Sequence, residues 1–222
     1  MIKLAIFAYL LSLATVTTGS STSRSEFSYM KEKADNSAVV FIGDSRTVGM
    51  KAAITDIVDK DNEFFIAQSG EGYSWFKNTG IGQLKSTISL HKNINDWTIV
   101  TNLGVNDPDN AEKYVEEYED LMTDIETSNS SKNIMMYVIS VNPVDESKCS
   151  SRTNKEINKI NEIFENGFED ETNSIIYINT NDYVKQIMIS TDGLHYTDST
   201  YRKIYKKILE SIILEKSENY TA

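Results

Sequence analysis

Ala38-Val39-Val40-Phe41-Ile42-Gly43-Asp44-Ser45 joins an uninterrupted apolar run to a polar turn. An apolar run of strand length with no polar alternation belongs to a strand covered on both faces, the situation of a parallel sheet between helices. Asp44 and Ser45 are residue types that cap helix N-termini, so the stretch predicts a strand turning directly into a helix. Four more strand-like runs follow, at residues 63–67, 97–103, 134–141 and 174–178. Segments of helical period alternate with them, at residues 46–58, 81–91, 110–126, 153–168 and 198–214. In the last, Tyr201, Ile204, Tyr205, Ile208 and Ile212 fall at steps of three and four, the stripe of a helix lying on a sheet. The alternation predicts an α/β fold: a three-layer α/β/α sandwich around a mainly parallel, five-stranded, doubly wound sheet of flavodoxin-like type.

The 222 residues, 40% hydrophobic and 10% aromatic, suit one globular domain. A net charge of −11 argues against nucleic acid and anionic membrane surfaces as partners, because phosphate binding draws on clustered Lys and Arg. Cys149 is the lone cysteine, so no internal disulfide can form. No Cys/His cluster has metal-ligand spacing, and neither a metal nor a cofactor is implied.

Met1-Ile2-Lys3 precedes an apolar run from Leu4 to about Ala14 and then small polar residues to Ser20. This pattern predicts a secretory signal peptide over residues 1–19, the run being short of the ~18 residues of a spanning helix. An uncleaved anchor is the alternative, since the exit is not a clean Ala-x-Ala. A Ser/Thr-rich linker is expected over residues 20–36, a folded domain over 37–216 and a tail over 217–222. The protein is accordingly expected outside the cell or in its envelope, without stable membrane association once the signal is removed.

Ligands of such sheets bind outside the carboxyl ends of the strands. Polar and turn-forming residues collect there: Gly43-Asp44-Ser45, Ser69-Gly70-Glu71-Gly72, Gly104-Val105-Asn106-Asp107-Pro108, Asn142-Pro143 and, at a longer interval, Asp192-Gly193-Leu194-His195. A serine that attacks a carbonyl needs a base, and the base needs an acid to orient it. His195 is one of only two histidines, with Asp192 three residues before it. The other, His91, ends a helical segment with no nearby acid, the place of a solvated helix-terminal residue. Each block alone is an ordinary turn or cap. Their conjunction in one order, each at a strand end or before the last helix, has no such explanation.

These blocks resemble the SGNH (GDSL-type) hydrolase family over about residues 37–214, in the family's order. The resemblance implies Ser45 as nucleophile, with Asp192 and His195 completing the triad. It further implies an oxyanion hole from the Ser45 N–H, the Asn106 side chain and the N–H of a second-block glycine. Gly70 is preferred there, with Gly72 as the fallback, because Ser69-Gly70-Glu71 is similar to the family's Ser-Gly-Asp. Arg46 departs from the Leu that the family name expects.

The expected function is a secreted serine esterase removing acyl groups, acetyl in the first instance, from a small ester or an acylated glycan. An O-acetyltransferase on cell-wall or exported polysaccharide would use the same groups. A non-catalytic glycan-binding domain is the alternative from another class. Arg46, Tyr73 and Trp75 are candidate substrate-binding residues: a cation for an anionic group and two aromatics that could stack on a sugar, with Phe76 beside them; the alternatives are a structural Arg46 that caps and pairs locally and aromatics that belong to the core.

Overall fold

A computed structural model describes residues 36–58, 61–169 and 174–218. The expected signal peptide, nearly all of the linker and residues 219–222 lie outside the described residues. Five strands form one sheet: β1 (Ser37–Gly43), β2 (Glu63–Ala67), β3 (Asp96–Asn102), β4 (Asn133–Ile139) and β5 (Ile175–Ile178). Every pairing is parallel and the order is β2-β1-β3-β4-β5, as a doubly wound fold requires. Six helices cover it: α1 (Ser45–Ala53), α2 (Ile81–Leu90), α3 (Ala111–Ser128), α4 (Asn154–Gly167), α5 (Asn181–Ile187) and α6 (Asp198–Glu218).

The continuous apolar strands are explained by two cores, one on each face. Ala38, Val40, Ile42, Trp97, Ile99, Ile134, Met136 and Val138 point to the face covered by α2, α3 and α4. Phe41, Val100, Tyr137 and Ile139 point to the other, where Met50 of α1, Val184 of α5 and the α6 stripe Tyr201, Ile204, Tyr205, Ile208 and Ile212 pack on them. Successive strand residues therefore alternate between two hydrophobic layers rather than between core and water.

The chain winds to one side from β1 to β2 and to the other from β1 through β3, so the crevice opens between the carboxyl ends of β1 and β3. There the Asp44 N–H donates to Asn102 O at 3.4 Å, and Gly43 O accepts from the Gln68 N–H at 3.2 Å. Three loops are thus fixed at one rim.

Some boundaries differ from expectation. Helix α1 stops at Ala53 instead of running to 58, yet Ile54, Ile57 and Val58 still pack on the second core, so their spacing imitates a continued helix. Helix α6 runs to Glu218, into the stretch expected as tail. Besides the 3-10 turn Pro108–Asn110, two helical segments have no counterpart among the elements the sequence predicts. One is α5, and the other is the turn Tyr73–Trp75, which leads through a π-helical Phe76–Gly80 into α2.

Candidate active site

Ser45 is the first residue of α1. Asp44 caps that helix by accepting the Arg46 N–H at 2.9 Å, which holds Ser45 at the sharp exit from β1. Across the rim, His195 Nε2 lies 2.9 Å from Ser45 Oγ, and His195 Nδ1 lies 2.7 Å from Asp192 Oδ2. The other carboxylate oxygen, Oδ1, accepts the N–H groups of Leu194 at 2.9 Å and His195 at 2.7 Å. With Nδ1–H donating to Asp192, Nε2 is the nitrogen that accepts from the serine hydroxyl. Gly193 makes the loop possible at φ +82, where a Cβ would in addition meet Cys149 N at 2.2 Å. Partial burial works to raise the Asp192 pKa. The hydrogen bonds from the His195 side chain and from the two N–H groups outweigh it and hold the carboxyl well below the usual carboxylate range. Asp192 therefore stays ionised whenever the imidazole takes up a proton.

A second carboxyl lies beneath the nucleophile. Asp44 is 1% exposed, and burial pushes its pKa up to about 6, against the lowering effects of the Arg46 N–H, the Arg46 charge and His195.

On the β3 side, Asn106 Nδ2 donates to Glu71 O at 2.7 Å. A carboxamide carries two N–H donors, so this bond fixes the side chain while the second N–H can serve a ligand oxygen. Asp107 ties the same two loops together. It accepts the Tyr73 N–H at 2.7 Å, Asn110 Nδ2 at 3.0 Å and the Tyr114 hydroxyl at 3.0 Å. Gly104, the first residue of this block, sits at φ +110, and a Cβ there would reach Ile160 Cδ1 at 2.4 Å. Only glycine suits that combination of backbone and neighbour. Of the two candidate oxyanion glycines, Gly70 is exposed and carries φ +79, whereas Gly72 abuts the Asp107 carboxylate. They flank Glu71, whose carbonyl holds Asn106.

No protein-family model matches the chain, and no curated protein matches it. Solved structures do. A GDSL-like lipase from Bacteroides thetaiotaomicron is 18% identical with a TM-score of 0.56, over 84% of this chain and 97% of that one. The chain has the SGNH-hydrolase fold. Other structures with this fold include the catalytic domain of peptidoglycan O-acetyltransferase A from Streptococcus pneumoniae, 20% identical with a TM-score of 0.53, over 82% of this chain and 95% of that one. The aryl esterase of M. smegmatis is 14% identical with a TM-score of 0.56, over 79% of this chain and 98% of its own.

Within the SGNH-hydrolase fold, the sequence candidates divide by position. Ser45, Asp192 and His195 are hydrogen-bonded to one another, and Asn106 is bonded to the second-block loop. Arg46 takes the structural alternative, an internal strap, and not the substrate-binding one. It is 2% exposed, and its guanidinium donates to Leu194 O at 3.1 Å, Asn142 O at 2.6 Å and Pro143 O at 3.3 Å, with the Tyr196 ring beneath it. Those bonds tie α1 to the loop that carries His195. Trp75 likewise takes the core alternative and not the substrate-binding one, at 8% exposed in the first cluster, with Phe76 fully buried beside it. Tyr73 alone of the three aromatics keeps a partly exposed ring, set edge-on against Tyr114 and bonded through its hydroxyl to Glu117 at 2.9 Å. His91 caps the end of α2, with Nδ1 2.8 Å from Thr87 O and its ring against Phe64, near the amino ends of the strands and away from Ser45.

Nothing in the sequence assigns Asp107 or Arg152 to the site. Asp107 was visible as the residue after Asn106, but as a turn former. Arg152 binds backbone carbonyls of the Asn106 loop, and nothing in a local pattern announces such partners. Among the described residues, no group of three or more His, Cys, Asp or Glu side chains is placed to hold a metal ion.

Proposed function

We propose that the chain is a serine esterase of SGNH type working through a Ser45 acyl-enzyme. The observation that carries this reading is the chain of contacts from Asp192 through His195 to Ser45 at 2.7 and 2.9 Å, at the carboxyl rim of the sheet. Ser45 Oγ attacks the ester carbonyl carbon as its proton passes to His195 Nε2, and the imidazolium is stabilised by the ionised Asp192. The carbonyl oxygen becomes an oxyanion facing the Ser45 N–H, the Gly70 N–H (Gly72 in the alternative assignment) and the second Asn106 N–H. Collapse breaks the bond to the alcohol, which leaves with the proton from Nε2. Water then attacks the acyl-enzyme, gives a proton to Nε2, and the acid departs as Ser45 recovers its hydrogen.

Acetyl esters on carbohydrate are the proposed substrates, acted on outside the cell or in its envelope by a domain spanning residues 37–216. The likeness to the peptidoglycan O-acetyltransferase catalytic domain supports an acetyl group on a glycan. It also raises the second reading, transfer of the acetyl group to a sugar hydroxyl. The side chains of His195 and Asp192 are 40% and 52% exposed, which leaves water a path to the acyl-enzyme and favours hydrolysis. A glycan-binding domain without activity would have no use for the aligned serine, imidazole and carboxylate.

Purified protein incubated with an activated acetate ester, with and without a glycan acceptor, separates the readings. Free acetate as sole product is expected and would sink the transferase. Absence of turnover on chromogenic acetate esters, or turnover that survives Ser45→Ala, would remove the enzyme reading.

A further inference from the structure

Residues 140–153, between β4 and α4, contribute no group to the triad or to the oxyanion donors, yet they touch both arms of the site. On the acid-base side, the Asp145 N–H donates to Gly193 O at 2.9 Å and Lys148 Nζ to Ser190 O at 2.8 Å. Pro143 O accepts the Tyr196 hydroxyl at 2.5 Å. On the oxyanion side, Arg152 Nε donates to Val105 O at 2.5 Å and Nη2 to Asn106 O, while Nη1 donates to Ser151 O at 2.5 Å. The loop is a bracket between the two halves of the site.

A guanidinium is a flat, rigid fork that retains its charge, and two N–H donors of one edge, Nε and Nη2, here take consecutive carbonyl oxygens. Holding both fixes the peptides on either side of Asn106, adding to the hinge at Gly104, the buried Val105 side chain, the bonds to Asp107 and the Asn106 bond to Glu71 O. We propose that Arg152 is a positioning residue for acyl transfer: by clamping Val105 O and Asn106 O it keeps the Asn106 amide where its second N–H meets the oxyanion. This rests on the reading of Asn106 as an oxyanion donor. Arg152 touches no reacting atom. An oxyanion donor displaced by an ångström loses most of its effect on the barrier and little of its effect on substrate binding.

Steady-state kinetics on an acetate ester should compare the wild type with Arg152→Ala, Arg152→Lys, Asn106→Ala and the double variant Arg152→Ala/Asn106→Ala, each checked for folding by thermal unfolding. Arg152→Ala is expected to lower kcat by roughly tenfold or more, with KM within about twofold and an unchanged pH profile. The same change should cost almost nothing once Asn106 is already Ala, because the group it positions is gone. Arg152→Lys should fail to restore kcat, since an ammonium carries the charge without the fork. If Arg152→Ala does not fold, Arg152→Gln takes its place in the cycle, with the same expectations. Equal losses in both backgrounds, or full activity in the Lys variant, would overturn the positioning role. If instead Asn106→Ala itself left kcat intact, the oxyanion reading would fall, a result distinct from an impaired Asn106→Ala beside a normal Arg152→Ala.

Discussion

Asp44 shows how a single residue can serve a site and burden the fold at once. Its side chain caps α1 behind the nucleophile, yet a carboxylate that is 1% exposed is costly to ionise, and its pKa rises from 3.8 to about 6. The folded-state pKa is the higher one, so the stabilising contribution is full below about pH 4 and is lost as pH rises through about 6. Asn keeps the accepting oxygen and discards the charge. Asp44→Asn is therefore expected to gain stability relative to the wild type between about pH 4 and pH 8, by at most about 2–3 kcal/mol. Urea unfolding of both proteins at the two pH values measures this, and an equal difference at both would contradict it. For Asn106→Ala, loss of one oxyanion donor should cost kcat on the order of a hundredfold with KM nearly constant. At this scale the sequence was most legible where chemistry is scarce. Two histidines, only one of them three residues after an aspartate, left little choice of base. The partners of Arg46 and Arg152 were not legible, because they are main-chain carbonyls that every residue owns.

Among the elements, α6 was read correctly from its stripe because that stripe is long and packs on a single layer. The seven-residue α5 buries only Asn181 and Val184, too few positions to display a period. The segment from Tyr73 to Gly80 is ambiguous for another reason: its aromatics follow a rim loop in sequence and suit either stacking or core, and Trp75 and Phe76 turn into the first core. Packing of α1 against α6 depends on Gly49, where a Cβ would come within 2.6 Å of the Tyr201 ring. Tyr201 is itself buried, at 4% exposed, in the second core. Gly49→Ala is thus expected to destabilise by about 1–3 kcal/mol through overpacking, despite the better helix propensity of alanine. Ile208→Ala, which leaves a cavity on the same face, should cost about 2–5 kcal/mol. Denaturant midpoints report both, and a Gly49→Ala protein as stable as the wild type would contradict the packing of the two helices.

For the whole molecule, one sheet shared by two cores makes the layers interdependent. Both tryptophans, Trp75 and Trp97, lie in the first core, so their fluorescence reports that face alone, whereas far-UV circular dichroism reports all helices. Coincident urea transitions by the two probes are expected for a single cooperative unit, and separated transitions would show that the faces unfold independently. The architecture was legible because strands buried on both faces read as continuous apolar runs. The arrangement of loops across the rim was less so, since contacts such as Arg46 to Leu194 span 148 positions and leave no local trace. The central claim concerns one atom, Ser45 Oγ, activated by His195 across the rim. Peptide mass spectrometry after treatment with a serine-reactive phosphonate tests it without knowledge of the substrate: one adduct is predicted, on Ser45, lost in His195→Ala. An adduct on another residue, or an unmodified Ser45 in folded protein, would contradict it.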